Sequence, residues 1–455
     1  MLQRRGQIFR SPETVFLRLL GLIYLIAFAS LWPQIVGLVG TNGIAPAAET
    51  LLAMYGDYGW RAYLDVPSLF WLAPKDWGLT ALCGLGCVAA LFLIFGRIVR
   101  TTAIAAYILY LSLVSIGPPF TSFQWDTLLL ETGFLAVFSG SPLLPLAYRF
   151  LLFRLMFESG LVKLTSHDVN WRNLHALRYH FFTQPLPMPL AYYVQHAPEW
   201  LLDSATVAVL SIELLVPFFL FLPSRRVRRV AVSFLVLLQV VIALTGNYAF
   251  FNLLAVALCL WGLDDDCYSR LKNRRLAFRP PAAFVNFPVA ALLALGLLQI
   301  FDLQPPLFNS FEIVNPYGLF AVMTTSRVEL IVEGSDDSVN WRAYSFRYKP
   351  GDVRRSLPLV APYQPRLDWQ MWFAALGDPQ QNPWAQILVY RLLSGQPEVL
   401  GLLEPSPFAR PPRSIRIQAY SYTFTDPALR RRDGSVWQRT FLGTWLRPIS
   451  IVAEN

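Results

Sequence analysis

The sequence predicts a polytopic α-helical membrane protein of about nine membrane segments with a C-terminal soluble, mainly-β domain. Three observations point there. The 455 residues are 55% hydrophobic and only 15% charged, with a mean hydropathy of +0.43, whereas soluble domains sit near ~45–50% apolar and ~25% charged. The excess falls in runs of about 20 apolar residues, the helix length that crosses ~30 Å of hydrocarbon. After residue 302 the runs give way to short alternating stretches between turns. Residues 1–302 are therefore expected to form a transmembrane helical bundle and residues 303–455 an extracytoplasmic β-sandwich-like domain, with Pro305-Pro306 at the boundary.

The segments expected to lie in the membrane are 14–34, 78–96, 101–117, 125–140, 146–164, 200–222, 228–246, 249–263 and 284–301. A turn-rich stretch, Gly37 to Pro46, follows the first. Gly96-Arg-Ile-Val-Arg100 is a tight connection, and Gly117-Pro118-Pro119 ends the third helix because proline cannot continue it. Arginines set the orientation. Arg4, Arg5 and Arg10 precede the first segment, Arg97 and Arg100 follow the second, Arg225, Arg226, Arg228 and Arg229 follow the sixth, and Arg270, Lys272, Arg274, Arg275 and Arg279 follow the eighth. All four clusters share one side if the N-terminus is cytoplasmic. The loops 40–77, 165–199 and 246–248 then face outward, as does everything after 302.

These helix-end arginines account for most of the net charge of +9. No basic stripe with interleaved aromatics occurs in a soluble stretch, which argues against a nucleic-acid partner. Cys83, Cys87 and Cys259 lie in apolar runs and Cys267 in a charged loop, so no disulfide framework is expected in the C-terminal part. Cys83 and Cys87 share a helix face without a histidine, as packing residues do.

In the C-terminal part, Ser326 to Tyr348 holds two strand-like runs around a Gly/Ser/Asp turn. Val328, Leu330 and Val332 alternate with Glu329, Ile331 and Glu333, a period of 2 broken only at Ile331. Leu367 to Leu376 reads as an amphipathic helix, and Ile415 to Thr425 as a further strand. The turn and Trp341 are similar to those of jelly-roll carbohydrate-binding modules, which implies a small sandwich.

Asp126 and Glu131 sit in an otherwise apolar stretch, Phe120 to Phe138. A carboxylate at membrane depth costs roughly 2.5–3.5 kcal/mol or more and persists only where protein shelters it. Asp126 falls at a helix start, where it can cap free N–H groups. Glu131 lies deeper and needs a partner, a proton or a water-filled cavity. Arg154, Glu158 and Lys163 lie in the next segment. Glu158 and Lys163 are five apart, the wrong spacing for an i, i+4 pair, so each looks to another helix. Glu131 is a natural partner for Lys163 or Arg154. The plainer reading of Lys163 is a side chain that snorkels from the outer helix end.

The outward loop carries Trp171, Arg178, Tyr179, His180 and Gln184. His175 and His180 are five apart with no glutamate between them, so H-E-x-x-H is absent and no metal is expected. No nucleophile elbow, P-loop or dinucleotide fingerprint occurs, and no cofactor is expected.

Gln124-Trp125-Asp126 followed by Leu-Leu-Leu-Glu131-Thr-Gly-Phe-Leu resembles the signature of the lipase maturation factor family. Three more stretches carry the likeness: Trp171 to Pro187, Asn315 to Arg327 with Glu333-Gly-Ser-Asp336, and Pro365 to Leu376. It runs across Ala27-Phe28-Ala29, a mimic of a signal-peptidase site, so the first segment reads as an uncleaved anchor. The resemblance implies a membrane-embedded assembly factor, chaperone-like, rather than an established enzyme. Eukaryotic members work in the endoplasmic reticulum on secreted lipases. This compact, arginine-rich chain reads as a bacterial relative in the inner membrane, with a periplasmic domain and an exported client protein, and with membrane lipids around it. The motif residues expected to matter are Gln124, Trp125, Asp126, Glu131, Trp171, Arg178, Tyr179, His180, Gln184, Arg327, Arg366, Asp368 and Trp369.

A remoter likeness concerns Gly160-Leu-Val-Lys163-Leu164 with Trp171, which looks like the lysine-bearing segment of the vitamin K-dependent carboxylases. It implies the alternative of an integral membrane enzyme, with Lys163 as general base and Glu131 and Glu158 beside it. The substrate would be a lipid, quinone or peptide in a cavity lined by Asp126, Glu131, Glu158 and Lys163. A third reading is a transporter that uses the acids as a proton relay.

Overall fold

In the computed structural model, residues 12–263 and 280–450 are described. The basic clusters around Arg4 and around Arg270, together with Cys267, lie outside them. Helix α1 (Pro12–Val39) opens with proline and Glu13 in its first turn, both suited to a helix start. It is followed by α2 (Ala47–Tyr58), α3 (Asp76–Ile94), α4 (Val99–Ile116), α5 (Gln124–Ala136) and α6 (Leu144–Thr165). Short helices α7 (Leu177–Thr183) and α8 (Pro189–Gln195) precede α9 (Glu199–Leu215), α10 (Arg225–Thr245), α11 (Phe251–Cys259) and α12 (Pro280–Ile300). Small residues let the helices close up. A Cβ on Gly86 of α3 would meet the Phe28 ring of α1 at 2.3 Å, so only glycine fits there.

Five of the described helices are long and apolar enough to cross a membrane: α1, α3, α4, α10, and α9 with its 3₁₀ extension to Phe221. Phe251–Leu263 and Val285–Ile300 are shorter apolar helices. The segments expected at 125–140 and 146–164 are helices of another kind. With 13 residues, α5 rises about 20 Å, short of a ~30 Å core. Helix α6 has the length but carries Arg149, Arg154, Glu158 and Lys163, all buried. Neighbouring helices enclose both, so apolar composition here reports a protein interior rather than contact with lipid.

At one end of the bundle Phe16, Tyr148 and Trp261 stack together, with centroids 4.6–5.2 Å apart. There Arg149 Nε donates to the Trp261 carbonyl at 2.7 Å and Arg228 Nε to that of Gly262 at 3.2 Å. Ser139, which bonds Glu13 at 2.6 Å, also accepts from Arg100 at its carbonyl. The opposite end receives the C-terminal region. Arg391 Nε donates to the Gly43 carbonyl at 3.0 Å, and Gly37 abuts the Glu398 backbone.

The C-terminal strands β1 (Arg327–Ser335), β2 (Arg342–Ala343), β3 (Ser414–Phe424) and β4 (Trp437–Ser450) form one antiparallel sheet in the order β2-β1-β3-β4. Glu329 faces Tyr420, and Tyr422 faces Arg439. The expected two-sheet sandwich is not what the described residues build. Helix α13 (Arg366–Ala374) packs against β1, and α14 (Pro383–Leu393) against β3. Leu330, Val332, Ile415 and Ile417 join Leu388 and Leu392 in a core continuous with the membrane bundle. On the opposite face Arg327 and Glu329 are also buried, with Lys349 2.7 Å from Glu329. The alternation in β1 thus separated an apolar interior from an ionic one, not from water. Helix α13, read as amphipathic, is buried on nearly every side for the same reason.

Candidate functional site

Asp126 enters α5 in its first turn, yet it caps nothing: the helix has no side-chain cap. Its carboxylate takes a two-pronged bond from Arg366 of α13, at 2.5 and 2.8 Å, and a third from the Tyr110 hydroxyl at 2.5 Å. Arg366 also donates to the Phe120 carbonyl at 3.1 Å. Asp126 and Arg366 are both fully enclosed. Such a fork-to-fork pair is the strongest geometry an ion pair has, and it ties the C-terminal region to the bundle across 240 residues of sequence.

Glu131 finds its partner in Arg154, 2.7 Å away. Its other oxygen accepts from the Tyr317 hydroxyl at 2.8 Å and the Asn315 backbone N–H at 2.9 Å. Glu158 accepts from Arg154 Nε at 3.3 Å and from the Tyr317 backbone N–H at 2.8 Å. Arg154 donates further to Gln299 at 3.0 Å and to the Asn315 carbonyl. Gln124 Oε1 accepts from the Gly318 N–H at 3.4 Å. The segment 315–318 therefore lies in a groove of carboxylates and amides supplied by α5 and α6.

Lys163 does not snorkel: its side chain is 3% exposed. Nζ bonds both oxygens of Glu213 on α9, at 2.7 and 3.0 Å, and the Ser159 carbonyl at 3.0 Å. The ammonium lies 5.3 Å from the centre of the Trp171 ring, within cation–π range. Lys163 and Glu213 line a cavity of about 50 Å³ with Ser159, Gln239 and Tyr248. Its lining contains none of Asp126, Glu131 and Glu158, so the four-residue cavity expected from the sequence does not form there.

The residues of the loop that follows α6 are brought to the same neighbourhood. Trp171 donates from Nε1 to the Phe320 carbonyl at 2.8 Å, and Tyr179 packs on the same cluster. His180 is partly buried between Phe181 and Phe320, with the Tyr248 hydroxyl at 3.4 Å. Burial, and secondarily the charge of Lys163, push its pKa down to about 4. Gln184 accepts from the Tyr248 hydroxyl at 2.7 Å and donates to the Thr245 carbonyl at 2.9 Å. Arg327 reaches the Pro185 carbonyl at 2.8 Å and the Phe182 carbonyl at 3.0 Å. Asp368 accepts the N–H groups of Tyr348 and Lys349 at 2.7 and 2.8 Å, although burial raises its pKa. Trp369 crosses Trp125 edge-on at 4.7 Å. Arg178 stays half-exposed, paired with Asp203 and Glu199.

Sequence reasoning missed Glu213, Tyr110 and Lys349, and it singled out the stretch that holds Asn315 and Tyr317 without giving either residue a role. Glu213 had a signal, being the sole charged residue between 204 and 222. Tyr110, inside α4, and Lys349, in the C-terminal region, are single polar residues with no local signal, because their acidic partners are met only through the fold. Among the described residues no three His, Cys, Asp or Glu side chains are grouped as a metal site would be.

A family profile described as the lipase maturation factor transmembrane domain matches residues 11–270, and one described as the lipase maturation factor C-terminal domain matches 313–447. The chain is 33% identical to lipase maturation factor 2 of Xenopus laevis, over 92% of this chain and 79% of that protein. It is 33% identical to human lipase maturation factor 2, over 97% and 83%, and 35% identical to human lipase maturation factor 1, over 97% and 88%. No solved structure matches. Two profiles in sequence order, and full-length relatives at this identity, establish that this integral membrane protein is a member of the lipase maturation factor family.

Proposed function

We propose that the protein is a membrane-embedded, chaperone-like maturation factor for secreted lipases or other exported proteins. It sits in a bacterial inner membrane with its N-terminus cytoplasmic and its C-terminal domain outside. One observation carries the reading: the acids at the heart of the bundle are occupied in binding the protein's own C-terminal segments. Asp126 holds Arg366, and Glu131 and Glu158 hold Asn315 and Tyr317. A catalytic acid or a proton relay needs a free face, and these carboxylates spend theirs on a joint. The described arginines Arg97, Arg100 and Arg225 to Arg229 flank the bundle end opposite to the C-terminal region, which supports the orientation. The segments beyond the five long helices would be completed within the bundle by α5, α6, α11 and α12.

The test is co-expression of the full chain with a secreted lipase in cells that lack such a factor. Active lipase per unit of lipase mass should rise; an unchanged ratio for several lipases counts against the role. A second reading has one observation behind it. Lys163 and Glu213 border open volume beside Tyr248, the arrangement that an enzyme with an intramembrane lysine would need. Glu131 and Glu158 do not join Lys163 there.

A further inference from the structure

We propose that residues 47–77 form an arm that lies in the plane of the bilayer's interfacial layer, on the side of the C-terminal region, and that its partner is the lipid surface. The arm is made of helix α2, three short helical turns (Gly59–Arg61, Ala62–Asp65 and Leu69–Leu72) and a return to α3. Of its 12 residues, α2 buries only Ala47 and Leu51. A helix of that length is marginal in water unless a second surface covers its apolar side. Leu52, Trp60 and Leu72 are 73%, 66% and 83% exposed. Tyr63 meets Tyr55 edge-on and Trp71 at a tilt, with centroids 5.8 and 4.6 Å apart, and both tyrosines are 47% exposed. Glu49, Asp57, Arg61, Asp65 and Lys75 are interspersed and exposed as well. Trp and Tyr among charges is the composition of the membrane–water boundary.

The position of the arm settles which surface covers it. The turn that leads from α1 into the arm is tied to the start of α3, the Thr41 N–H donating to Asp76 at 2.8 Å. Its return is pinned to α4 one turn before that helix ends: Ser68 donates to the Ser112 carbonyl at 2.8 Å, and the Leu69 N–H to the Ser112 hydroxyl at 2.9 Å. On α3 the exposed side chains Trp77, Leu85, Val88 and Phe92, with Phe95 at its C-terminal cap, form one stripe at helical spacing. From Trp77 to Phe95 the helix rises about 27 Å, close to the ~30 Å hydrocarbon thickness. Trp77 thus marks one boundary of the lipid-facing stripe, and the arm continues from it at that depth. Arg391 and Glu398 pack on residues 37–43, where α1 leads into the arm, so the C-terminal region lies at the same end of the bundle as the arm.

A photoreactive benzoylphenylalanine placed singly at Leu52, Trp60 and Leu72 of the full chain in phosphatidylcholine nanodiscs tests this. Val339 of the C-terminal region, 77% exposed, is the water-facing control. Illumination should give adducts to lipid acyl chains at the arm positions several-fold above those at Val339. Adducts to a protein at these positions, whether a client or a second copy, overturn the proposal. Lipid adducts no more abundant than at Val339 overturn it equally.

Discussion

The joint at Asp126, Glu131 and Glu158 and the pair Lys163–Glu213 lie in one bundle and face the same cost of burying charge, yet they meet it differently. At the joint, each carboxylate is matched by an arginine and by N–H or O–H donors, and each takes at least one bond from a segment 159 to 240 residues further along the chain. The pair is matched within the membrane region itself, by α6 and α9, and it borders open volume. Burying a pair of charges gains little over a packed apolar pair, whereas removing one partner is severe. A buried charge network is therefore a good clasp and a poor source of net stability. The difference separates a closed joint between two regions of the chain from a buried pair with open volume beside it.

The sharpest way to break this contrast is Arg366→Ala. It leaves Asp126 enclosed without its cation, at about 3–5 kcal/mol. Unfolding in detergent should show that loss, and limited proteolysis should release the C-terminal region. A variant that stays as protease-resistant as the parent would mean the joint does not hold the halves together.

Lys163→Met comes next, with a similar penalty of about 3 kcal/mol from a stranded Glu213. Combining it with Glu213→Leu should restore most of the stability. Lipase maturation by the restored double variant then separates the two regions: full activity removes the enzyme reading, and lost activity in a stable protein makes the pair functional.

A smaller effect concerns pH. The folded His180 ring titrates near pH 4 rather than its ordinary 6.5, so it stays neutral in the folded protein. The unfolded chain binds the proton more readily between those values, so stability is complete above 6.5 and drains as pH falls toward 4. Between pH 7 and pH 5 the loss is about 2 kcal/mol by linkage. His180→Gln should flatten that part of the profile. An identical pH slope in both proteins would place the titration elsewhere. Arg178→Ala should be the mildest change, since its ion pairs with Asp203 and Glu199 are open to solvent and screened. A marked drop in thermal midpoint would show that the loop after α6 depends on those pairs.

Much of the fold was legible in the sequence, and some of it was legible for the wrong reason. The five long apolar runs became helices that can span a membrane, because length and hydropathy are local quantities. The runs at 125–140 and 146–164 looked the same, but an apolar helix sheltered by other helices has the composition of one facing lipid. Likewise, Glu329 alternating with Leu330 reads as a strand with one wet face until Arg327 and Lys349 close over it. Glu131 was identifiable as needing a partner, and Arg154 was among the candidates. That Lys163 would choose Glu213 was beyond reach, because spacing along one helix constrains only neighbours on that helix.

By itself the sequence determined the membrane character, the change of pattern after residue 302, the family membership and the presence of buried charges that demand shelter. Only the tertiary structure decided which charge meets which. Hydropathy is summed along the chain, whereas an ion pair is set by distance in space, and Asp126 meets Arg366 through a fold that closes 240 residues into 2.5 Å.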